Sequence, residues 1–123
     1  MDFEAILLVA HGDGAGETLQ VLKQLAEQLT RRINRPVYAA QLLAPPQEVQ
    51  LSIVCEDLIQ HGFHRIALFP CFLANGLHVS RDIPNQVREI QTRFPKFEVE
   101  IFSPFGADSS LVDLLLHRLQ SSS

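Results

Sequence analysis

The chain has 123 residues, of which 46% are hydrophobic and 20% charged, and its formal net charge at pH 7 is −4. This balance predicts one compact domain over residues 1–120, followed by a disordered tail over 121–123. The negative charge argues against a nucleic-acid partner, which needs a basic face. The apolar runs are only as long as strands, so we also expect no membrane span.

Apolar residues recur with two different spacings that alternate along the chain. Short continuous runs are typical of strands buried on both faces, whereas spacings of three and four residues indicate helices. The predicted elements are a strand over 5–10, a helix over 19–29, a strand over 37–43, a helix over 49–59, a strand over 66–72, a helix over 83–94, a strand over 97–102 and a helix over 111–119. Asp82 is the predicted cap of the third helix, with Pro84 in its first turn, and Asp108 or Ser109 caps the last helix.

Four strand–helix repeats predict an α/β fold, in which an open parallel sheet of four strands lies between two layers of helices. The simplest strand order is 2-1-3-4, as in flavodoxin-like sheets. In that order strands 1 and 3 are neighbours whose connections leave toward opposite faces. Ligands of such sheets bind at this switch point, beyond the carboxyl ends of the strands.

A histidine follows each of the two strands that meet at the predicted switch point. His11 comes directly after the first strand, and His78 lies six residues beyond Phe72, the end of the third. Neutral imidazole binds cobalt, nickel, iron and zinc, and two histidines leave coordination positions open for a metal that must be passed onward. The pair therefore predicts a shared metal site, although each histidine alone is also explained as a structural residue. The remaining histidines are expected to be structural: His61, His64 and His117.

The loop over 12–16 contains three glycines, a composition that also occurs in phosphate-binding turns. Its spacing differs from G-x-G-x-x-G, no acidic residue closes the second strand, and Asp13 repels phosphate unless a cation intervenes. We therefore interpret this loop as the lip of the site and the start of a helix. A flavodoxin-like nucleotide or phosphate binder stays open as a less favoured function.

The two histidines lie in the segments LLVAHG over 7–12 and PCFLANGLHVSRDIP over 70–84. These segments resemble those of the small sirohydrochlorin chelatases, the single-domain relatives of the CbiX-type cobaltochelatase, and the similarity extends over nearly the whole chain. The resemblance implies a class II chelatase fold. It also implies the insertion of a divalent metal into sirohydrochlorin without ATP, in tetrapyrrole biosynthesis of the cobalamin or sirohaem type.

Matched residue by residue, the resemblance assigns His11 and His78 as the metal-binding and catalytic groups. The expected substrate-binding residues are Leu73, Asn75, Gly76 and Arg81, of which the first three form a wall against the ring and the arginine receives carboxylates. Glu48 is a weaker candidate for a base or supporting group, because it is better explained as an acid at the start of a helix.

Two residues depart from the family pattern. Asp13 stands where serine usually follows His-Gly, and Val49 stands where proline commonly follows the glutamate. The added charge of Asp13 either attracts a metal cation or hinders a carboxylate-rich substrate. A carrier that holds a metal or a tetrapyrrole without inserting the metal is therefore an alternative function.

The resemblance also implies an oligomeric state and a substrate metal. Longer family members carry two such units in tandem, so a homodimer is expected here. Cobalt, iron or nickel is expected as a substrate, with no permanently bound cofactor. Cys55 and Cys71 are too few for a disulfide framework and the N-terminal segment lacks the pattern of an export signal, so we expect a cytoplasmic protein.

Overall fold

The computed structural model describes residues 2–12, 15–42, 46–74, 76 and 79–122. Strands and helices alternate along the described residues. Their bounds are β1 Ala5–Ala10, α1 Glu17–Ile33, β2 Val37–Gln41, α2 Leu51–Gln60, β3 Arg65–Pro70, α3 Val79–Arg93, β4 Glu98–Ile101 and α4 Ser110–Ser121. Short 3₁₀ turns at Gln47–Val49 and Phe105–Ala107 precede α2 and α4.

The four strands form one parallel sheet in the order β2-β1-β3-β4, which confirms the predicted fold class and strand order. The register places Val9 of β1 between Ala40 of β2 and Pro70 of β3. Every residue of β1 is buried, as its continuous apolar run predicts. Because all strands are parallel, the segments that follow them meet at one edge of the sheet, the carboxyl edge.

Helices cover both faces of the sheet but not equally. On one face Leu22 and Ala26 of α1 pack with Ile6 and Leu8 of β1. On the other face α2 and α3 cover Leu7 and the neighbouring strands, and together they enclose the larger of the two core clusters. This arrangement gives three layers, with α1 alone on its side of the sheet.

Helix α3 begins earlier than its sequence pattern predicts. The backbone N–H of Ser80 donates to the carbonyl of Gly76 at 3.0 Å, so the chain is already turning before the apolar spacing starts. Asp82 therefore lies inside the first turn and is not the cap, and Pro84 lies inside the helix. Strand β2 ends at Gln41, two residues before its predicted end. The predicted end, residue 43, lies outside the described residues.

Asp108 provides the predicted interaction at the start of α4. Its Oδ1 accepts hydrogen bonds from the hydroxyl of Ser110 at 2.6 Å and from the backbone N–H of the same residue at 2.8 Å. These bonds favour the carboxylate and lower the pKa of Asp108. The helix then continues to Ser121, and the disordered tail over 121–123 stays a prediction.

Helix α4 differs from the other helices because it buries none of its residues. Leu111 is half-buried, and every other residue from Ser110 to Ser121 is exposed. The exposed set includes five large aliphatic side chains: Val112, Leu114, Leu115, Leu116 and Leu119.

In the described part of the chain every helix is too short or too polar to cross a membrane.

Candidate functional site

His11 lies at the carboxyl edge, directly beyond β1 and between the ends of β2 and β3. The backbone N–H of Leu42 donates to the carbonyl of Ala10 at 3.1 Å, and that of Cys71 donates to the carbonyl of Val9 at 2.8 Å. These two bonds join the ends of all three strands just before the histidine. The imidazole of His11 is exposed to solvent beyond this hydrogen-bonded edge, and is therefore accessible to a ligand.

The segment after β3, which leads to the second histidine motif, is held by the segment after β4. The backbone N–H of Phe105 donates to the carbonyl of Phe72 at 2.9 Å, and that of Gly106 donates to the carbonyl of Leu73 at 2.7 Å. The two backbones approach closely, because a Cβ atom at Gly106 would lie 2.0 Å from the Leu73 oxygen. Only glycine fits this approach without a shift of one of the two segments.

The structure places part of the predicted substrate site. Leu73 is 68% exposed beside the end of β3, although large apolar residues are usually buried. Gly76 and Arg81 are also exposed, the first next to α3 and the second in its first turn. Asn75, His78 and Asp13 lie outside the described residues, so their positions stay predictions. The convergence of His11 and His78 on one metal ion is likewise a prediction.

Glu48 lies at the outer edge of the sheet. It lines a cleft of about 370 Å³ together with Tyr38 and Ala39 of the edge strand β2 and with Asp57 of α2. The structure therefore places this carboxylate beside β2, whereas His11 follows the central strand β1. Its role as a base or a supporting group stays a prediction.

Burial raises the pKa of both cysteine thiols. The Sγ of Cys71 lies 3.5 Å from the carbonyl oxygen of Phe69, and burial raises the pKa of this thiol to about 11. Cys55 is fully buried in the core, and burial raises its pKa to about 12. Both thiols therefore favour the protonated form, whereas metals bind the thiolate. Among the described residues no group of three or more His, Cys, Asp or Glu side chains is arranged to hold a metal.

The other features singled out in the sequence have structural explanations. Gly12 and Gly16 have positive φ angles of 110° and 74°, so the turn into α1 itself accounts for these glycines. His61 ends α2 at the opposite, amino edge of the sheet, where its Nδ1 lies 2.8 Å from the carbonyl oxygen of Asp57. His64 precedes β3 at the same edge.

Sequence reasoning missed Gln41, the last residue of β2. Its side chain is fully buried, and neither its amide oxygen nor its amide nitrogen has a hydrogen-bond partner among the described residues. Gln41 pairs with Ala10, the residue before His11. Native proteins rarely leave a buried amide unpaired. The sequence signal that could have identified Gln41 is a polar residue at the end of an apolar strand.

The comparison with known families bears on the functions that the sequence left open. The CbiX family model matches residues 5–122 of the chain. The chain belongs to the CbiX family. The predicted relationship to the sirohydrochlorin chelatases is thereby confirmed, and with it the class of enzyme to which the relatives belong.

Two relatives and two solved structures show how far the similarity extends. The "Sirohydrochlorin cobaltochelatase" of Sulfolobus acidocaldarius is 30% identical over 94% of this chain and 89% of its own length. The "Sirohydrochlorin ferrochelatase" of Priestia megaterium is also 30% identical, over 94% of this chain. SirB from Bacillus subtilis subspecies spizizenii, solved in complex with cobalt, superposes with a TM-score of 0.78 at 26% identity over 96% of this chain. A CbiX protein from Marinobacter aquaeolei has the same fold, with a TM-score of 0.74 at 23% identity over 96% of this chain.

The relatives fall into two size classes. The chain spans 43% of the Priestia ferrochelatase and 50% of the SirB chain. It spans nearly all of the Sulfolobus cobaltochelatase and 98% of the Marinobacter protein. The family thus includes chains of about this length and chains of about twice this length.

Proposed function

We propose that this protein inserts a divalent metal ion into sirohydrochlorin without ATP. The observation that carries the proposal is the exposed imidazole of His11 at the carboxyl end of β1, beside the segment that leads from β3 to His78. Open parallel sheets bind their ligands at this edge, where the connections of neighbouring strands diverge. The names of the Sulfolobus and Priestia relatives support sirohydrochlorin as the substrate.

The chemistry requires a donor that holds the metal and then releases it. Two pyrrole N–H bonds break as the ring nitrogens bind the ion, and two protons must be accepted. Imidazole ligates divalent metals and accepts protons near neutral pH. His11 and His78 would hold the ion with water in the remaining positions, and one or both would take up the protons.

The surrounding residues would orient the macrocycle. Leu73 offers an exposed apolar side chain against the ring, next to Asn75 and Gly76. Arg81 lies in the first turn of α3, where a guanidinium and the positive end of a helix both favour carboxylates. Glu48 is proposed as a supporting base, and Asp13 as a charge at the mouth of the site.

The finer assignments belong to the same proposal. Cobalt is the favoured substrate ion, with ferrous iron or nickel as the other metals that imidazole accepts. No permanently bound cofactor is needed for this reaction. The pathway is tetrapyrrole biosynthesis of the cobalamin or sirohaem type, in the cytoplasm, and the working unit is a homodimer.

The test is insertion of Co²⁺ into sirohydrochlorin by purified protein in buffer without ATP, followed by the absorbance of the macrocycle. His11→Ala and His78→Ala should each lower the rate about 100-fold or more, because each removes a metal ligand and a proton acceptor. His61→Ala removes a histidine at the opposite edge and should retain the wild-type rate. Unchanged turnover in the double variant His11→Ala/His78→Ala contradicts the mechanism. Metal binding without insertion by the wild-type protein would identify a carrier instead.

A further inference from the structure

Two features of the carboxyl edge have no role in the proposed function: the turn between β1 and α1, and the side chain of Gln41. Gly12 and Gly16 of the turn have positive φ angles, and Gly16 is the N-cap residue of α1, which has no side-chain cap. In the described part of the chain Gln41 is the one polar residue that is buried, and both polar atoms of its amide lack a hydrogen-bond partner there. An unpaired buried amide requires an explanation.

The side chain of Gln41 lies on the side of the sheet that α1 covers. Successive residues of a strand point to opposite faces. In β2, Tyr38 and Ala40 pack on the side of α2 and α3, whereas Val37 and Ala39 pack with α1. Gln41 follows at the same alternation as Val37 and Ala39.

The position of Gln41 along β2 corresponds to the start of α1. Near the other end of the helix, the hydroxyl of Thr30 accepts the backbone N–H of Val37, the first residue of β2, at 3.1 Å. Gln41 lies about 13 Å further along the strand. The helix runs in the opposite direction, and the same distance corresponds to about nine of its residues. Gln41 is therefore beneath the first two turns of α1, which begins at Glu17.

The start of α1 and the amide of Gln41 favour the same kind of ligand. The first backbone N–H groups of a helix have no acceptor within the helix, and they lie at the positive end of its dipole. A Cβ at Gly16 would meet no atom of the described residues within 4 Å, so there is space beside the helix start. The Nε2 of a glutamine provides two more N–H groups. Both features therefore favour an acceptor oxygen that carries negative charge.

The unpaired amide of Gln41 destabilises the protein when no ligand is present, because its desolvation is not offset by hydrogen bonds. Rotation about the side-chain torsions of Gln41 would turn the amide toward the helix start, where a ligand completes its bonds. Glu17, in the first turn, carries an exposed carboxylate that opposes an anion. Hydrogen bonds from the amide and the backbone must therefore provide the recognition.

We propose that Gln41 and the start of α1 form a subsite for an oxyanion, and that a carboxylate of the macrocycle occupies it when the substrate binds. The Nε2 of Gln41 donates to this oxyanion together with the backbone of the first turn. This inference deepens the proposed function and rests on it for the source of the carboxylate. Gln41 is then a specificity-determining residue that acts on the affinity for the macrocycle and not on metal transfer.

The first test measures the affinity for metal-free sirohydrochlorin through the fluorescence of the macrocycle. Gln41→Met keeps the length of the side chain without its hydrogen bonds, and should raise Kd about 10-fold or more. KM for insertion should rise by the same factor with kcat unchanged. Gln91→Met removes an amide that donates to the carbonyl of Phe97 at the amino edge, and should retain the wild-type Kd. Equal Kd values for the wild-type protein and Gln41→Met overturn the proposal.

The second test separates a ligand-binding role from a structural one, and uses urea denaturation without any ligand. Gln41→Met should raise the denaturation midpoint, because it removes hydrogen-bonding groups that have no partner. Gln91→Met should lower the midpoint, because it removes a hydrogen bond that is made. A lower midpoint for Gln41→Met means that the amide is bonded in the free protein, which overturns the proposal.

The third test identifies the source of the oxyanion. The side-chain amide signals of Gln41 are recorded by nuclear magnetic resonance while either inorganic phosphate or metal-free sirohydrochlorin is added at constant ionic strength. Sirohydrochlorin should shift these signals. A shift with phosphate alone overturns the assignment to the macrocycle, and no shift with either probe overturns the subsite. Binding that depends on Gln41 without metal insertion contradicts only the proposed function, whereas insertion with a Kd independent of Gln41 contradicts only the subsite.

Discussion

Gly106 has no Cβ atom, and this allows the segment after β4 to contact the segment after β3. The backbone of this residue touches the Leu73 carbonyl, to which it also donates a hydrogen bond. Leu73 belongs to the segment that leads to His78. The position of that segment therefore depends on a glycine more than thirty residues away in sequence.

We expect Gly106→Ala to lower the free energy of unfolding by about 1–3 kcal/mol, the usual cost of overpacking. The added Cβ must displace the segment after β3 or break the Gly106–Leu73 hydrogen bond, so the rate of metal insertion should fall as well. Urea denaturation and the absorbance assay measure the two effects.

Gly76→Ala is the control for stability, because a Cβ at that glycine meets no atom of the described residues within 4 Å. Its free energy of unfolding should stay close to that of the wild-type protein. Equal stability of Gly106→Ala and Gly76→Ala would show that the two segments separate at no cost, which contradicts the close approach.

At the scale of the secondary-structure elements, the carboxylate of Glu4 joins the starts of β1 and β3. Oε1 of Glu4 accepts the backbone N–H of His64 at 2.7 Å and that of Arg65 at 2.9 Å. The hydrogen bond from His64 contributes most, and that from Arg65 next, to a lowered pKa of Glu4. This contact lies at the amino edge, opposite the candidate site.

The lowered pKa of Glu4 determines whether the free energy of unfolding rises or falls with pH. A carboxylate whose pKa is lower in the folded state stabilises the protein above its unfolded-state pKa, which is about 4.3 for glutamate. That contribution is lost as the pH falls through the folded-state pKa. The wild-type protein should therefore lose stability more steeply than Glu4→Gln as the pH falls below about 5.

Denaturation by urea at a series of pH values measures this difference. Glu89→Gln removes the same charge from the exposed surface of α3 and should follow the wild-type curve. Parallel curves for the wild-type protein and Glu4→Gln would mean that the backbone bonds do not favour the charged carboxylate.

At the scale of the whole molecule, the proposed homodimer would make stability a function of concentration. When folded chains are stabilised by association, mass action raises Tm as the protein concentration rises. We expect Tm of the wild-type protein to increase by several degrees over a wide concentration range. Leu115→Glu, which places a carboxylate among the exposed aliphatic side chains of α4, should show a constant Tm. Differential scanning calorimetry checks both, and a wild-type Tm that is independent of concentration counts against association through α4.

The sequence predicted the sheet well because local pattern and burial agree there. The residues of β1 form a continuous apolar run, and burial on both faces is the reason such a run forms a central parallel strand. The strand order followed from short right-handed connections. The start of α3 was less predictable, because a hydrogen bond from Ser80 to Gly76 sets it before the apolar spacing begins.

The part of the site that directly follows the ends of the strands could be predicted from the sequence. His11 lies where the end of β1 predicts. The contact of Gly106 with Leu73 arises from tertiary packing, and so does the burial of the Gln41 amide, which has no hydrogen-bond partner among the described residues. Neither composition nor spacing encodes such packing. The apolar spacing identified α4 as a helix, but a pattern within one chain gives no information about what covers the helix.

The short segment from Phe105 to Ser110 has a mechanical consequence. At its beginning, two amides hold the carbonyls of Phe72 and Leu73, and at its end the final helix starts. A movement of that helix is therefore transmitted over a few residues to the segment that leads to His78. The start of α4 and the approach to the candidate site are thus mechanically linked by backbone hydrogen bonds alone.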